Sequence, residues 1–175
     1  MIGGHENFPT VKNKVMTVAV YPPLRQLLPH QPPMILIDRL LEANARESIC
    51  EVTITPESMF LEAVGVPAFV GFEYLAQSIA AHIGYQHYLA HEPITVGLLM
   101  GTRRLETACQ FFELGQTLRI HVAHVWGTLE LRRFRCTMTA ASTGAVLQHA
   151  ELHIFKPNNV QSYLEEVGHD HARTH

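Results

Sequence analysis

One carboxylate stands alone in a long uncharged stretch. From Ala63 to His91 the only Asp, Glu, Lys or Arg is Glu73. An ionised carboxylate in apolar surroundings is costly, so Glu73 is neutral with a raised pKa, paired with a cation, or set at a wet cleft. The first and last of these produce general acids. Gln77 follows four residues later, which on a helix places it beside Glu73 on the same face. The plainer alternative is a helix-end Glu turned to solvent, and perturbed carboxylates also occur in purely structural networks.

The remaining chemistry-bearing residues are more dispersed. His87 and His91 are four apart and would form a metal pair if one helix ran through both, but no third ligand has suitable spacing. His121 and His124 are three apart on an expected strand and so face opposite sides. His149 and His153 share a strand face but lie too far apart along it for one site. No metal site is therefore expected. Cys50, Cys109 and Cys136 form no CxxC pair, which argues against a disulfide framework or zinc ribbon and fits a reducing cytoplasm. Arg103, Arg104, Arg132, Arg133 and Arg135 concentrate positive charge late in a mildly acidic chain. The ordinary reading of such a run is a solvated face.

These residues sit in a chain of 175 residues that is 47% hydrophobic and 17% charged, enough for one domain with a full core. A net charge of −3 gives no reason to expect nucleic acid, although twelve histidines make the charge sensitive to pH. Val15 to Val20 is too short for a signal-peptide core or membrane span, and no later apolar run reaches that length. Residues 1–14 and the tail from Gly168 read as loose ends around a core of about 21–157.

The elements that must position Glu73 follow from patterning. Pro67 to Leu89 reads as one long, mostly buried helix, because it lacks a charged face. Ala76, Ala80 and Gly84 make a flat stripe on which a sheet could approach. Before the helix, LRQLL ahead of Pro29 is one or two helical turns, and Pro29, Pro32 and Pro33 force an extended path around His30. MILIDRLLEA and SICEVTIT then read as antiparallel strands joined near Asn44 to Glu47. After His91, Glu92 and Pro93 close the helix, four segments read as long strands: 94–108, 116–128, 129–141 and 145–157. Four in succession suggest an antiparallel meander. Two strands, a buried helix and four strands make an α+β pattern, a curved antiparallel sheet wrapped around one helix, which is the hotdog fold.

The motif order resembles the hotdog-fold 3-hydroxyacyl-[acyl carrier protein] dehydratases over roughly residues 24–157. LLPHQPPMILIDRLLE is similar to that family's opening motif: a His, two residues, a Pro, then an apolar strand carrying Asp-Arg. PAFVGFEYLAQ resembles the start of its helix, with Pro six positions before the catalytic Glu and Ala-Gln soon after. LLMGTRRLE is placed like its next strand, with the glycine at Gly101. The dehydratase-like proteins of aryl polyene pigment pathways are closest in character.

The resemblance implies an acid at Glu73, with Gln77, Gly101 and Pro67 at the substrate, and Gly101 as an amide donor to the thioester oxygen. It implies no metal or redox cofactor, since elimination of water needs only proton transfer and stabilisation of enolate charge. An acyl carrier protein with its phosphopantetheine-linked acyl chain is the implied partner, and the five arginines its docking patch. The family's base, a His in a Gly-His-Phe-Pro turn before the helix, has no counterpart, because only LEAVGV separates Phe60 from Pro67. His30 is the substitute within this chain, with a packing or capping role as its alternative. Such subunits pair with each site between two chains, as homodimers or heterodimers, so a partner could also supply the base. Three activities stay open: dehydration, a weakly active subunit completing an active sibling, and thioester hydrolysis.

Overall fold

The computed structural model describes residues 20–127 and 130–157. The ends read as loose, and the ends of two strand segments at Thr128 and Leu129, lie outside these residues. A 3-10 turn at Leu24–Gln26 precedes β1 (Arg39–Ala43) and β2 (Glu47–Thr53). Then come a two-residue β3 (Val66–Pro67), a 3-10 turn at Ala68–Val70 and α1 (Gly71–Ala90). β4 (Leu98–Thr107), a two-residue β5 (Phe111–Phe112), β6 (Thr117–Gly127), β7 (Leu131–Ala140) and β8 (Val146–Phe155) follow α1. Six strands form one antiparallel sheet in the order β1-β2-β6-β7-β8-β4, and α1 lies against one face. This is the expected hotdog architecture.

Strand alternation builds the core. Leu118, Ile120 and Val122 on β6, Phe134, Cys136 and Met138 on β7, and Ala150 and Leu152 on β8 are buried at every second position. They meet Tyr74, Leu75, Ile79 and Ala81 of the helix. The helix terminates where His91 turns left-handed, with Glu92 N–H bonded to the His87 carbonyl.

Four expectations are corrected. First, α1 begins at Gly71 rather than Pro67, because the backbone at Val66–Pro67 is extended and pairs with Phe111–Phe112. Second, Met34–Asp38 is not strand: the Met34 carbonyl and Leu36 N–H bond to the Gln77 side chain, in place of a neighbouring strand. Third, the last four strands are not a simple meander. β6, β7 and β8 follow one another, but β4 joins the far side of β8, since β5 leaves the sheet to pair with β3 before the chain returns beside β2. Fourth, the small-residue stripe does not receive the sheet. A side chain at Gly84 would overlap the Leu27 carbonyl oxygen, so that position seats the loop before β1. Ala76 and Ala80 instead face an open groove.

Candidate active site

Gln77 organises the site. It is fully buried, and its three hydrogen bonds fix the amide orientation without ambiguity. Oε1 accepts the Leu36 N–H at 2.8 Å, while Nε2 donates to the Met34 carbonyl at 2.8 Å and to Glu73 Oε1 at 3.0 Å. One side chain thus ties the proline-rich loop to the helix and orients the carboxylate. The same loop carries His30, whose Nε2 lies 3.9 Å from Glu73 Oε1. Both side chains are partly open, 33% exposed for His30 and 39% for Glu73. Of the three settings anticipated for Glu73, the structure has the wet cleft.

The cleft leads into a groove of about 140 Å³. Pro29, His30 and Glu73 line it with a run of apolar surface from Ala76, Ile79, Ala80 and Ile83 of α1, Leu99 of β4 and Ile154 of β8. Arg132 of β7 and Lys156, just after β8, also line it. An apolar channel with a carboxylate and an imidazole can hold a hydrocarbon chain and move protons at a reacting carbon. The N-terminal end of α1 adds positive potential close to Glu73, which lies in its first turn.

Other expected site residues are placed elsewhere. Gly101, at φ +121°, pairs with His153 on the sheet-edge strand and does not line the groove; Gly97 and Leu99 of the same segment do. Pro67 is buried and paired with Phe111, away from the groove. The five arginines are divided by strand alternation. Arg132 shares the helix-facing parity of Phe134 and Cys136, whereas Arg133 and Arg135 project from the opposite face onto Glu151 at 3.6 and 3.2 Å. Arg103, Arg104 and Arg133 line a second cavity there with His149 and His153. Arg104 pairs with Glu106 at 2.9 Å.

His87 and His91 do not form a pair, because His87 Nδ1 bonds to the Pro93 carbonyl at 2.9 Å and His91 has left the helix. Among the described residues no group of three or more His, Cys, Asp or Glu is arranged to hold a metal. No helix among them is long and apolar enough to cross a membrane.

Sequence reasoning missed several buried polar groups. Glu51, 8% exposed, is held by Arg39 on β1 and Arg119 on β6, two strands that flank β2. Burial raises the Asp38 carboxyl above its usual range, with nearby Glu51 adding to this. It also pushes the Tyr74 phenol up to about 12, helped by Asp38. His82, buried against the Phe134 ring, is pushed down to about 4 by burial, with His124 and Arg132 contributing repulsion. Only the spacing of His82 on the buried face of α1 hinted at this; the strand partners are tertiary neighbours.

A family model described as ApeP-like, ApeP dehydratase, matches residues 22–165. No curated protein sequence matches the chain. Among solved structures, the dehydratase heterocomplex ApeI:P from Xenorhabdus doucetiae is similar with a TM-score of 0.78 and 23% identity, over 85% of this chain and 99% of that one. A hypothetical thioesterase with coenzyme A from Streptococcus pneumoniae TIGR4 gives 0.53 and 12%, over 68% and 84%. The E. coli PaaI protein from the phenylacetic acid degradation operon gives 0.54 and 8%, over 67% and 81%. These likenesses are of fold.

Proposed function

Because the chain belongs to the ApeP-like family of dehydratases, we propose that it removes water from 3-hydroxyacyl thioesters presented by an acyl carrier protein, in a polyene-type pathway of the cytoplasm. The observation carrying the site assignment is the pairing of His30 with Glu73 at the apolar groove. We read the chain as one hotdog domain. His30 takes the proton from the carbon next to the thioester, and the acid form of Glu73 protonates the hydroxyl on the following carbon as it leaves. One water is lost and one double bond forms. His30 then returns its proton to Glu73; their 3.9 Å separation is closed by a small rotation or one bridging water. The helix N-terminus favours the negative charge that develops on the thioester oxygen. Gln77 acts as a positioning residue for Glu73.

The outward arginines, Arg103, Arg104, Arg133 and Arg135, are the proposed contact for the acidic carrier and its phosphopantetheine phosphate. Arg132 faces the groove and falls outside that surface.

A second reading has its own support. No His lies between Phe60 and Pro67, β4 is an edge strand, and a similar structure is a heterocomplex. In this reading the chain pairs through β4 with another hotdog protein that supplies the base, and Gly101 approaches substrate only in that assembly. Mass spectrometry of a 3-hydroxyacyl carrier protein tests both. Loss of one water with this protein alone, abolished by Glu73→Gln and by His30→Ala, supports the internal dyad. Turnover only after a second hotdog chain is added, unaffected by His30→Ala, supports the partner. Release of a free acid overturns both in favour of thioester hydrolysis.

A further inference from the structure

We infer that Gln148 of β8 is a positioning residue for Glu73, gripping the chain where α1 begins and so fixing where the carboxylate stands in the cleft. The inference deepens the dehydratase reading and rests on it. Gln148 is 1% exposed, and it is the polar member of a helix-facing row that continues through Ala150, Leu152 and Ile154. A buried amide in such a row needs partners. Its Nε2 donates to the Ala68 carbonyl at 2.6 Å, a contact between residues 80 apart in sequence. Because a carbonyl can only accept, that bond identifies the nitrogen. The amide oxygen, Oε1, is left buried and without a partner.

What the bond holds is the entry to the helix. Ala68 opens the 3-10 turn that leads into Gly71, the first residue of α1, and Glu73 lies two residues further on. No side chain caps either the turn or the helix, since Pro67 and Val70 stand at the two cap positions. The Ala68 carbonyl accepts the Gly71 N–H and the Gln148 amide together, while the Ala68 N–H donates to the Gln110 carbonyl at 2.8 Å. The start of α1 is thereby registered to β8. Gly71 is part of the same arrangement, because a side chain there would overlap Gln148 Oε1 and the tip of the Phe112 ring. The helix backbone lies directly on the amide.

Two buried glutamines therefore bracket Glu73. Gln77 orients the carboxylate from one turn later, and Gln148 places the backbone from just before. Their removal has different consequences. Without Gln77, the Met34 carbonyl and Leu36 N–H lose the side chain that pairs them. Without Gln148, the Ala68 carbonyl keeps the Gly71 N–H, and an unpartnered buried oxygen disappears. Leucine at position 148 should therefore disturb the fold little. It should disturb the reaction more, because proton transfer depends on placement to within a fraction of an ångström.

The test is Gln148→Leu, with Gln148→Met as a second filling of the same space. Each is assayed in single turnovers on a 3-hydroxyacyl carrier protein, with the second hotdog chain included if turnover requires it. Both variants should melt within a few degrees of wild type, and kcat should fall about tenfold or more with KM little changed. In a Glu73→Gln background the same substitution should cause no further fall, since the residue acts through the carboxylate. Wild-type kcat in the folded variants overturns the inference, and so does an equal fall in the Glu73→Gln background. A readout independent of turnover separates the two levels. The side-chain amide resonances of Gln77, which report its bond to Glu73, should shift in Gln148→Leu. A shift with no turnover by the wild type sinks the dehydratase reading alone, and unmoved resonances sink the inference.

Discussion

The Nε2 atom of His30 sits 3.9 Å from Glu73 Oε1, although the two residues belong to elements far apart in the chain. Their proximity depends on Gln77, which holds both the carboxylate and the loop that carries the imidazole. Gln77→Leu is close in volume and removes all three bonds, leaving the Met34 carbonyl and Leu36 N–H unpaired. A loss of about 2–4 kcal/mol in urea unfolding is expected. Turnover should fall further than stability alone explains, because Glu73 loses its orientation. Wild-type turnover in a folded Gln77→Leu protein would remove Gln77 from the positioning role.

Exchange of Glu73 for Gln keeps the shape and the Gln77 contact while abolishing proton donation. It should lower kcat by about 100-fold or more, with the melting temperature changed by only a few degrees. Stopped-flow absorbance of the enoyl thioester reads the first quantity and circular dichroism the second. Retention of full activity would exclude Glu73 as the acid.

Gly84 tests the seating of the loop before β1. Ala favours helix over Gly by roughly 1 kcal/mol. Here, however, the added carbon would overlap a backbone carbonyl, Leu27 O, and not a flexible side-chain end. Overpacking of this kind costs about 1–3 kcal/mol, so Gly84→Ala should be neutral to destabilised by ~2 kcal/mol and Gly84→Val worse. Because Leu24, Leu27 and Leu28 are buried and His30 follows them, displacement should also reduce activity. Net stabilisation by Gly84→Ala would show that the loop yields freely.

The stability of the fold should fall in acid partly through His82. Its folded pKa is about 4, below the unfolded value near 6.5, so the unfolded chain binds the proton more readily. The contribution is intact above the unfolded pKa and is lost as pH falls from about 6.5 towards 4. Between pH 7.5 and 5 this amounts to about 2 kcal/mol. His82→Gln, studied by urea unfolding at both pH values, should show that much less acid sensitivity than wild type. Equal sensitivity would mean that other groups carry the effect.

The exposed edge at β4 predicts an association surface. Met100 is 57% exposed there. A charge on an edge strand discourages pairing with another chain. Met100→Lys should leave the protein folded and weaken association with a hotdog partner at least tenfold, read by sedimentation velocity of the mixed chains. Unaltered association would move the interface off this edge.

Much of this molecule is visible in local patterning. The long uncharged run around Glu73 requires a buried helix, and alternation in the segments around Ile120, Phe134 and Leu152 requires strands, because both signals depend on neighbours within a few residues. The proximity of Glu73 to Gln77 is likewise local, set by helix pitch. Other features depend on contacts between distant segments. The sequence of β4 does not alternate and singles out no neighbour, so only assembly of the sheet chose β8. Met34–Leu36 looks like strand by composition, yet a helix side chain satisfies its backbone. The meeting of His30 with Glu73, the inward turn of Arg132 away from Arg133 and Arg135, and the burial of His82 beside His124 were decided by tertiary structure, since each depends on which faces of separate elements come together.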